Sequence, residues 1–209
     1  MPYLTEHLNL RSFLAGLFLA LIGAVCFALI ILAQNDTQAL IAHNRAAQEQ
    51  EIADTLLPPE VFGSDLQMDC YLISDPRIGQ NMKLYAAREG DQIKGYILQY
   101  STARGYSNPL VMISSFNADK SLYRADIQFS RETPGIGDKL DRRHGTFLDA
   151  LSGKNLKNVK WDVKKFGGDF DYVTGATVTS RALILASRDA LQVLSEADLN
   201  RLKKCRVKR

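Results

Sequence analysis

The stretch "GDFDYVTGATVTSRAL", Gly168 to Leu183, joins an aromatic and acidic segment to a run with helical spacing. Thr174-Gly175-Ala176-Thr177 lies at the junction, with little side-chain bulk. Leu183, Ala186, Ala190, Leu191 and Leu194 recur on one face of a 3.6-residue period, which predicts a helix over Thr179–Leu194 that begins near Val178. Two readings of the junction follow. In the first, Thr177 caps the helix and Gly175 makes the preceding turn. In the second, the junction holds a phosphate. The opening amides of a helix lack intrahelical acceptors and carry partial positive charge, so a phosphate placed there gains hydrogen bonds and a favourable field. Gly175 permits a positive φ, Ala176 leaves the backbone open to a bulky ligand, and the Thr177 hydroxyl can carry a phosphoester. Its phosphate would then lie against the amides of Val178, Thr179 and Ser180. The four junction residues do not decide between the readings.

Upstream of the junction the pattern changes from helical to extended. Lys83–Arg88, Gln92–Tyr100, Leu110–Phe116 and Leu122–Ser130 read as strands. Glu89-Gly90-Asp91 and Asn117-Ala118-Asp119 between them read as hairpin turns. Phe147–Leu151 is expected as a short helix ending at Gly153, and Trp161-Asp162-Val163 as a short strand. Strands in sequence followed by one long helix predict an α+β fold, an antiparallel sheet with packed helices.

The N-terminal region belongs to a different solvent. Ser12–Ala33 is 22 residues without a charge, and a bilayer needs about 20 at 1.5 Å each. The run exceeds the roughly 7–15 residues of a signal-peptide core, and Leu32-Ala33-Gln34 is a poor cleavage site, so a retained transmembrane helix is expected over 12–33. Arg11 before the span, with Asn35 and Asp36 after it, favours residues 1–11 in the cytoplasm and the main domain outside it, the periplasm of a Gram-negative cell. Residues 34–60 form an expected helical stalk closed by Pro58-Pro59, residues 61–200 the folded domain, and residues 201–209, RLKKCRVKR, a basic tail. That tail is read as solvated, with contact to anionic membrane lipid as the alternative.

Composition removes several function classes. A net charge of +3 over 209 residues gives no support to nucleic acid as a partner. Cys26, Cys70 and Cys205 are far apart, and His7, His43 and His144 are scattered, so no metal site is expected. Cys70 and Cys205 would meet an oxidising compartment, where a disulfide and two free thiols are equally open readings. No Rossmann-type glycine fingerprint follows a strand, which leaves a self-contained nicotinamide-dependent reductase without a site.

A longer pattern favours the phosphate reading. Asp171-Tyr172-Val173-Thr174-Gly175-Ala176-Thr177 resembles the Asp-x-x-Ser/Thr-Gly-Ala-Thr motif of the FMN-binding domain family. Glu132-Thr133-Pro134-Gly135-Ile136-Gly137-Asp138-Lys139-Leu140 resembles that family's Glu-Thr-Pro-Gly-Leu-Gly segment, and Gly105-Tyr106-Ser107 its Gly-Tyr-Ser turn. With the single span, the whole chain is similar to the G-subunit family of Rnf-type ion-translocating electron-transport complexes. The C subunit of the sodium-translocating NADH:quinone reductase, typically longer, shares the attachment motif. Two positions depart from the pattern: Ser130 stands where many relatives have a histidine, and Asn108 where a glycine often follows the Gly-Tyr-Ser turn.

The resemblance implies a covalent FMN on Thr177 through a phosphoester, installed by a separate flavin transferase that recognises Asp171. It implies further contacts from Thr174, Gly175, Ala176, Val178, Glu132, Thr133, Gly135, Tyr106 and Ser107. Thr133 and Glu132 would hydrogen-bond the ring or ribityl chain, and Lys164 and Lys165 would help balance the phosphate. No residue is assigned as catalytic in isolation; the resemblance implies an electron-relaying subunit of an inner-membrane translocase, working with membrane, iron–sulfur and flavin subunits. Phe170 and Tyr172 are expected either on the flavin ring or in the core, with the core favoured. The competing class is a membrane-tethered, non-redox binding or assembly protein of the cell envelope, which would be colourless.

Overall fold

The computed structural model describes residues 13–31, 55–63 and 66–205. The chain divides into two units, Met1–Ile52 and Ala53–Arg209. In the first, α1 (Phe13–Ile31) is 19 residues of continuous helix with its large apolar side chains exposed. At 1.5 Å per residue it is roughly 28 Å long, enough to cross a hydrocarbon core. Most of the stalk expected over residues 34–60 lies outside the described residues.

The second unit is an α+β domain built on an antiparallel meander. The strands are β1 (Gln67–Asp75), β2 (Gly79–Glu89), β3 (Gln92–Thr102), β4 (Leu110–Asn117), β5 (Leu122–Phe129) and β6 (Lys203–Lys204). Their order in the sheet is β5-β4-β3-β2-β1-β6. The predicted turns are present at Gly90-Asp91 and after Asn117, where Lys120 takes a φ of 64°. Alternation sorts the side chains by face. Leu84 and Ala86 of β2, Tyr96, Leu98 and Tyr100 of β3, and Leu110, Met112 and Phe116 of β4 form one buried face.

On the other face of the sheet, α2 (Pro59–Phe62) brings Phe62 over Gly95, where an added Cβ would come within 2.7 Å of its ring. The long helix α3 (Thr177–Glu196) packs on the buried face against β3. Twelve of its 20 residues are buried, and Arg181, Leu185, Arg188 and Gln192 form a half-exposed stripe along it. It is therefore a core element rather than a surface helix. Short 3₁₀ turns at Asp138–Leu140, Phe147–Leu151 and Lys164–Phe166 close the core around it.

Two expectations differ from what is found. Trp161-Asp162-Val163 forms no strand, only a single bridge between Val163 and Phe170. Lys203 and Lys204, expected in a solvated tail, pair with Leu72 and Tyr71 of β1. Cys205 follows directly and forms a disulfide with Cys70. That link, with the Cys205 N–H to Cys70 carbonyl bond of 2.9 Å, fastens this end of the domain to an edge strand.

A polar bridge crosses the core. The fully buried Tyr100 hydroxyl lies 2.7 Å from Ser114 Oγ and 3.0 Å from Ser187 Oγ, tying β3 and β4 to α3. Burial pushes its ionisation up to about 12, against 10.0 for a free phenol. The unfolded chain ionises first as pH rises, so stability is full below pH 10.0 and falls toward the folded value of about 12. The unfolding free energy from urea titrations should therefore decline from pH 9 to 11 in wild type, by on the order of 1–2 kcal/mol, and decline less in Tyr100→Phe. An equal slope in both proteins would mean that Tyr100 is not the group responsible.

Candidate functional site

Helix α3 opens at the junction that the sequence singled out. Ala176 is its N-cap, with φ −121° and ψ 32°, and Thr177 is its first helical residue. Ser180 N–H already donates to the Ala176 carbonyl at 2.9 Å, so it is not one of the free amides. Those of Thr177, Val178 and Thr179 have no acceptor among the described residues. The turn before the helix is stapled by Ser180, whose Oγ donates to the Ala176 carbonyl at 2.9 Å and accepts the Val173 N–H at 3.1 Å. Gly175 has φ +87°, a conformation that side chains with a Cβ resist.

A second loop faces this turn. The Thr133 carbonyl accepts from the amides of Ile136 and Gly137, and Gly135 turns the chain with φ +77°. Glu132, at its start, reaches in two directions. Its Oε1 accepts the Ser107 N–H and its Oε2 accepts the Thr179 hydroxyl, both at 3.0 Å. The Gly105–Ser107 turn, the Glu132–Gly137 loop and the first turn of α3 thus meet at one carboxylate.

Between them lies a cleft of about 480 Å³, a volume ordinary for a cofactor site. Tyr106, Glu132, Thr133, Gly175, Ala176, Thr177 and Val178, all expected at the site, line it together. Ile136, Gly137 and Thr179 line it as well; the Thr179 amide was expected there, its side chain was not. The first two lie inside the quoted Glu132–Leu140 block, so the block itself was their signal. The Thr179 hydroxyl had none, because its part depends on the distant Glu132.

Other expected residues stand apart from the cleft. Ser107 contributes a backbone amide to Glu132, and Gly135 shapes the loop. Thr174 is exposed outside the cleft. Lys165 is exposed on the 3₁₀ turn Lys164–Phe166, and Lys164 is paired with Asp171 at 2.7 Å. Neither lysine lines the cleft. Phe170 is buried against Trp161, with ring centroids 5.3 Å apart, whereas Tyr172, expected in the core, is exposed.

The three threonines of the Gly168–Leu183 stretch differ in availability. Thr179 is buried and its hydroxyl is committed to Glu132. Thr174 does not line the cleft. Thr177 is half-buried on the cleft wall, and its hydroxyl has no hydrogen-bond partner among the described residues. Three free amides, a hydroxyl and a side-chain-free Gly175 suit a phosphate. Tyr106, Ile136 and Val178, exposed by 77%, 48% and 54%, offer apolar surface to a planar ring. The residues present fit a flavin mononucleotide.

Comparison with known proteins agrees. A family model described as the FMN-binding domain matches residues 105–192, which contain all three wall segments. The chain is 34% identical over 199 residues to the G subunit of the ion-translocating oxidoreductase complex of Yersinia pestis, covering 91% of this chain and 94% of that one. It is 32% identical over 179 residues to the protein of the same name from Cronobacter sakazakii, covering 84% and 86%. The corresponding Escherichia coli K12 protein is 31% identical over 179 residues, covering 84% and 87%.

Proposed function

This chain belongs to the G-subunit family of ion-translocating oxidoreductase complexes, and from that premise we propose that it is a membrane-anchored flavoprotein whose FMN is esterified to Thr177. It serves as an electron-transport subunit of a translocase and has no complete reaction of its own. The observation that carries the attachment is the Thr177 hydroxyl, free of partners among the described residues, on the wall of the cleft beside unpaired helix amides.

When bound, FMN supplies reversible one- and two-electron transfer. This chain's residues hold it in place. The amides of Thr177, Val178 and Thr179 and the positive end of α3 receive the phosphate. Gly175 leaves the approach to the backbone open, with no atom nearer than 3.8 Å to where its Cβ would stand. Tyr106, Ile136 and Val178 exclude water from the ring's faces. A covalent bond abolishes dissociation, which matters in a compartment where free FMN would be lost.

Helix α1 anchors the protein once, with the domain on the periplasmic face of the inner membrane. The Cys70–Cys205 disulfide supports that side, since such links persist in oxidising compartments. Phe13–Ile31 contains no carboxylate, amine, guanidinium or imidazole, so the ion path belongs to partner subunits. Those partners carry the donor and acceptor centres, and a flavin transferase matures the chain. Asp171, exposed and paired with Lys164, stands at the edge of the motif where such an enzyme would grip it.

Protein purified in detergent from its native host should be yellow and remain fluorescent as a denatured band on a gel under ultraviolet light. A colourless, non-fluorescent band would support a non-redox envelope protein instead.

A further inference from the structure

We propose that Glu132 is a positioning residue, whose carboxylate clasps the Gly105–Ser107 turn and the first turn of α3 to its own loop and so fixes the walls around Thr177. The proposal rests on the attachment reading above and assigns Glu132 a different task from flavin hydrogen bonding. Both of its oxygens are already engaged, by Ser107 N–H and by Thr179 Oγ1, each at 3.0 Å. These partners are 25 and 47 residues away in sequence, so one side chain joins three separate segments.

The surroundings are shaped for that carboxylate. A Cβ at Gly137 would lie 2.6 Å from Glu132 Cβ and 2.8 Å from Oε2. One at Gly105 would lie 3.1 Å from Oε1. Glycine on both sides leaves room for the glutamate in the conformation that reaches both partners. The Gly105–Ser107 turn is also tied from its other end. Arg104 Nη1 donates to Asp189 Oδ2 at 2.6 Å, and Asp189 is a buried residue of α3. Tyr106 therefore sits, highly exposed, on a turn held to α3 at both ends. Without the clasp, the Thr179 hydroxyl and Ser107 amide lose their acceptor and the Tyr106 wall is free to move relative to Thr177.

The test uses the full-length chain in detergent, matured with a flavin transferase, with attached flavin counted by intact mass. Visible circular dichroism of the flavin bands, compared at equal loading, reports how firmly the ring is held. In Glu132→Ala and in Thr179→Val, which keeps volume and removes only the donor, the flavin dichroism should fall about threefold or more. Glu132→Gln should rescue it, because the glutamine carbonyl can keep the Ser107 amide and its NH₂ can donate to the Thr179 hydroxyl. Hydrogen exchange at the Ser107 amide, measured on chains without flavin, should speed up by about tenfold in Glu132→Ala.

Wild-type dichroism and exchange in Glu132→Ala would overturn the proposal. So would a Glu132→Gln chain that behaves like Glu132→Ala, since charge rather than the clasp would then be responsible. A wild-type chain with no added nucleotide mass marks failure of the attachment reading. In that case unchanged Ser107 exchange separately overturns the clasp, and faster exchange sustains it as a contact between the loops.

Discussion

A chain carrying Cys70→Ser and Cys205→Ser should unfold about 10 °C below wild type. The disulfide closes a loop with a sequence separation of 135. Loop-closure entropy for that length corresponds to roughly 3–5 kcal/mol of stabilisation. The link also holds a strand that cannot hold itself. β6 is two residues long and pairs only Lys203 and Lys204 with β1. Once it is released, β1 becomes an open edge, although Tyr71 and Ile73 remain in the core. Thermal unfolding of wild type with and without reductant, alongside the double variant, provides the check. Reductant should lower the wild-type transition to that of the variant and leave the variant unchanged. A wild-type chain whose Cys70 and Cys205 alkylate fully without reductant would show that the link does not form.

Replacing Thr177 by alanine should remove attached flavin entirely, at least 100-fold per chain, while changing stability by less than about 1 kcal/mol. The loss is complete because the neighbouring threonines cannot substitute: Thr179 is buried with its hydroxyl on Glu132, and Thr174 lies outside the cleft. The stability change is small because Thr177 Oγ1 bonds to no described residue, and alanine is tolerated at the first position of a helix. Thr177→Ser keeps the oxygen and should retain attachment. Gel fluorescence normalised to protein measures both variants, and circular dichroism in the far ultraviolet confirms that they fold. Undiminished fluorescence in Thr177→Ala would place the bond elsewhere.

The parts legible in sequence were those governed by local pattern. The helical period after Thr177 and the alternation in β2 to β5 announced α3 and most of the sheet, because each pattern follows from which face is buried. β1 was less visible. Asp69 and Cys70 break its apolar run, Asp69 pairs with Arg88, and only Tyr71 and Ile73 are buried. β6 was invisible because two lysines read as a tail; a disulfide, not hydrophobicity, brings them to the sheet. Trp161–Val163 misled in the opposite direction. Its apolar side chains are buried, but the backbone of Asp162 turns against Gly168, where a Cβ would stand 1.9 Å from the Asp162 carbonyl oxygen.

The site divides along the same line. Thr177, Gly175 and the helix they introduce were readable because they are neighbours in sequence. The roles of Glu132, Thr179 and Ser107 were not, because they arise from contacts between residues 25 and 47 positions apart. Lys164 and Lys165 were close in sequence to the motif, yet neither lines the cleft.

The most direct test is the mass of one peptide. Trypsin cutting after Lys165 and Arg181 releases residues 166–181, which hold Thr174, Thr177 and Thr179. From protein matured in its native host, that peptide should carry the mass of one FMN less one water, and fragmentation should assign it to Thr177. An unmodified peptide, or the added mass on Thr174 or Thr179, would contradict the account.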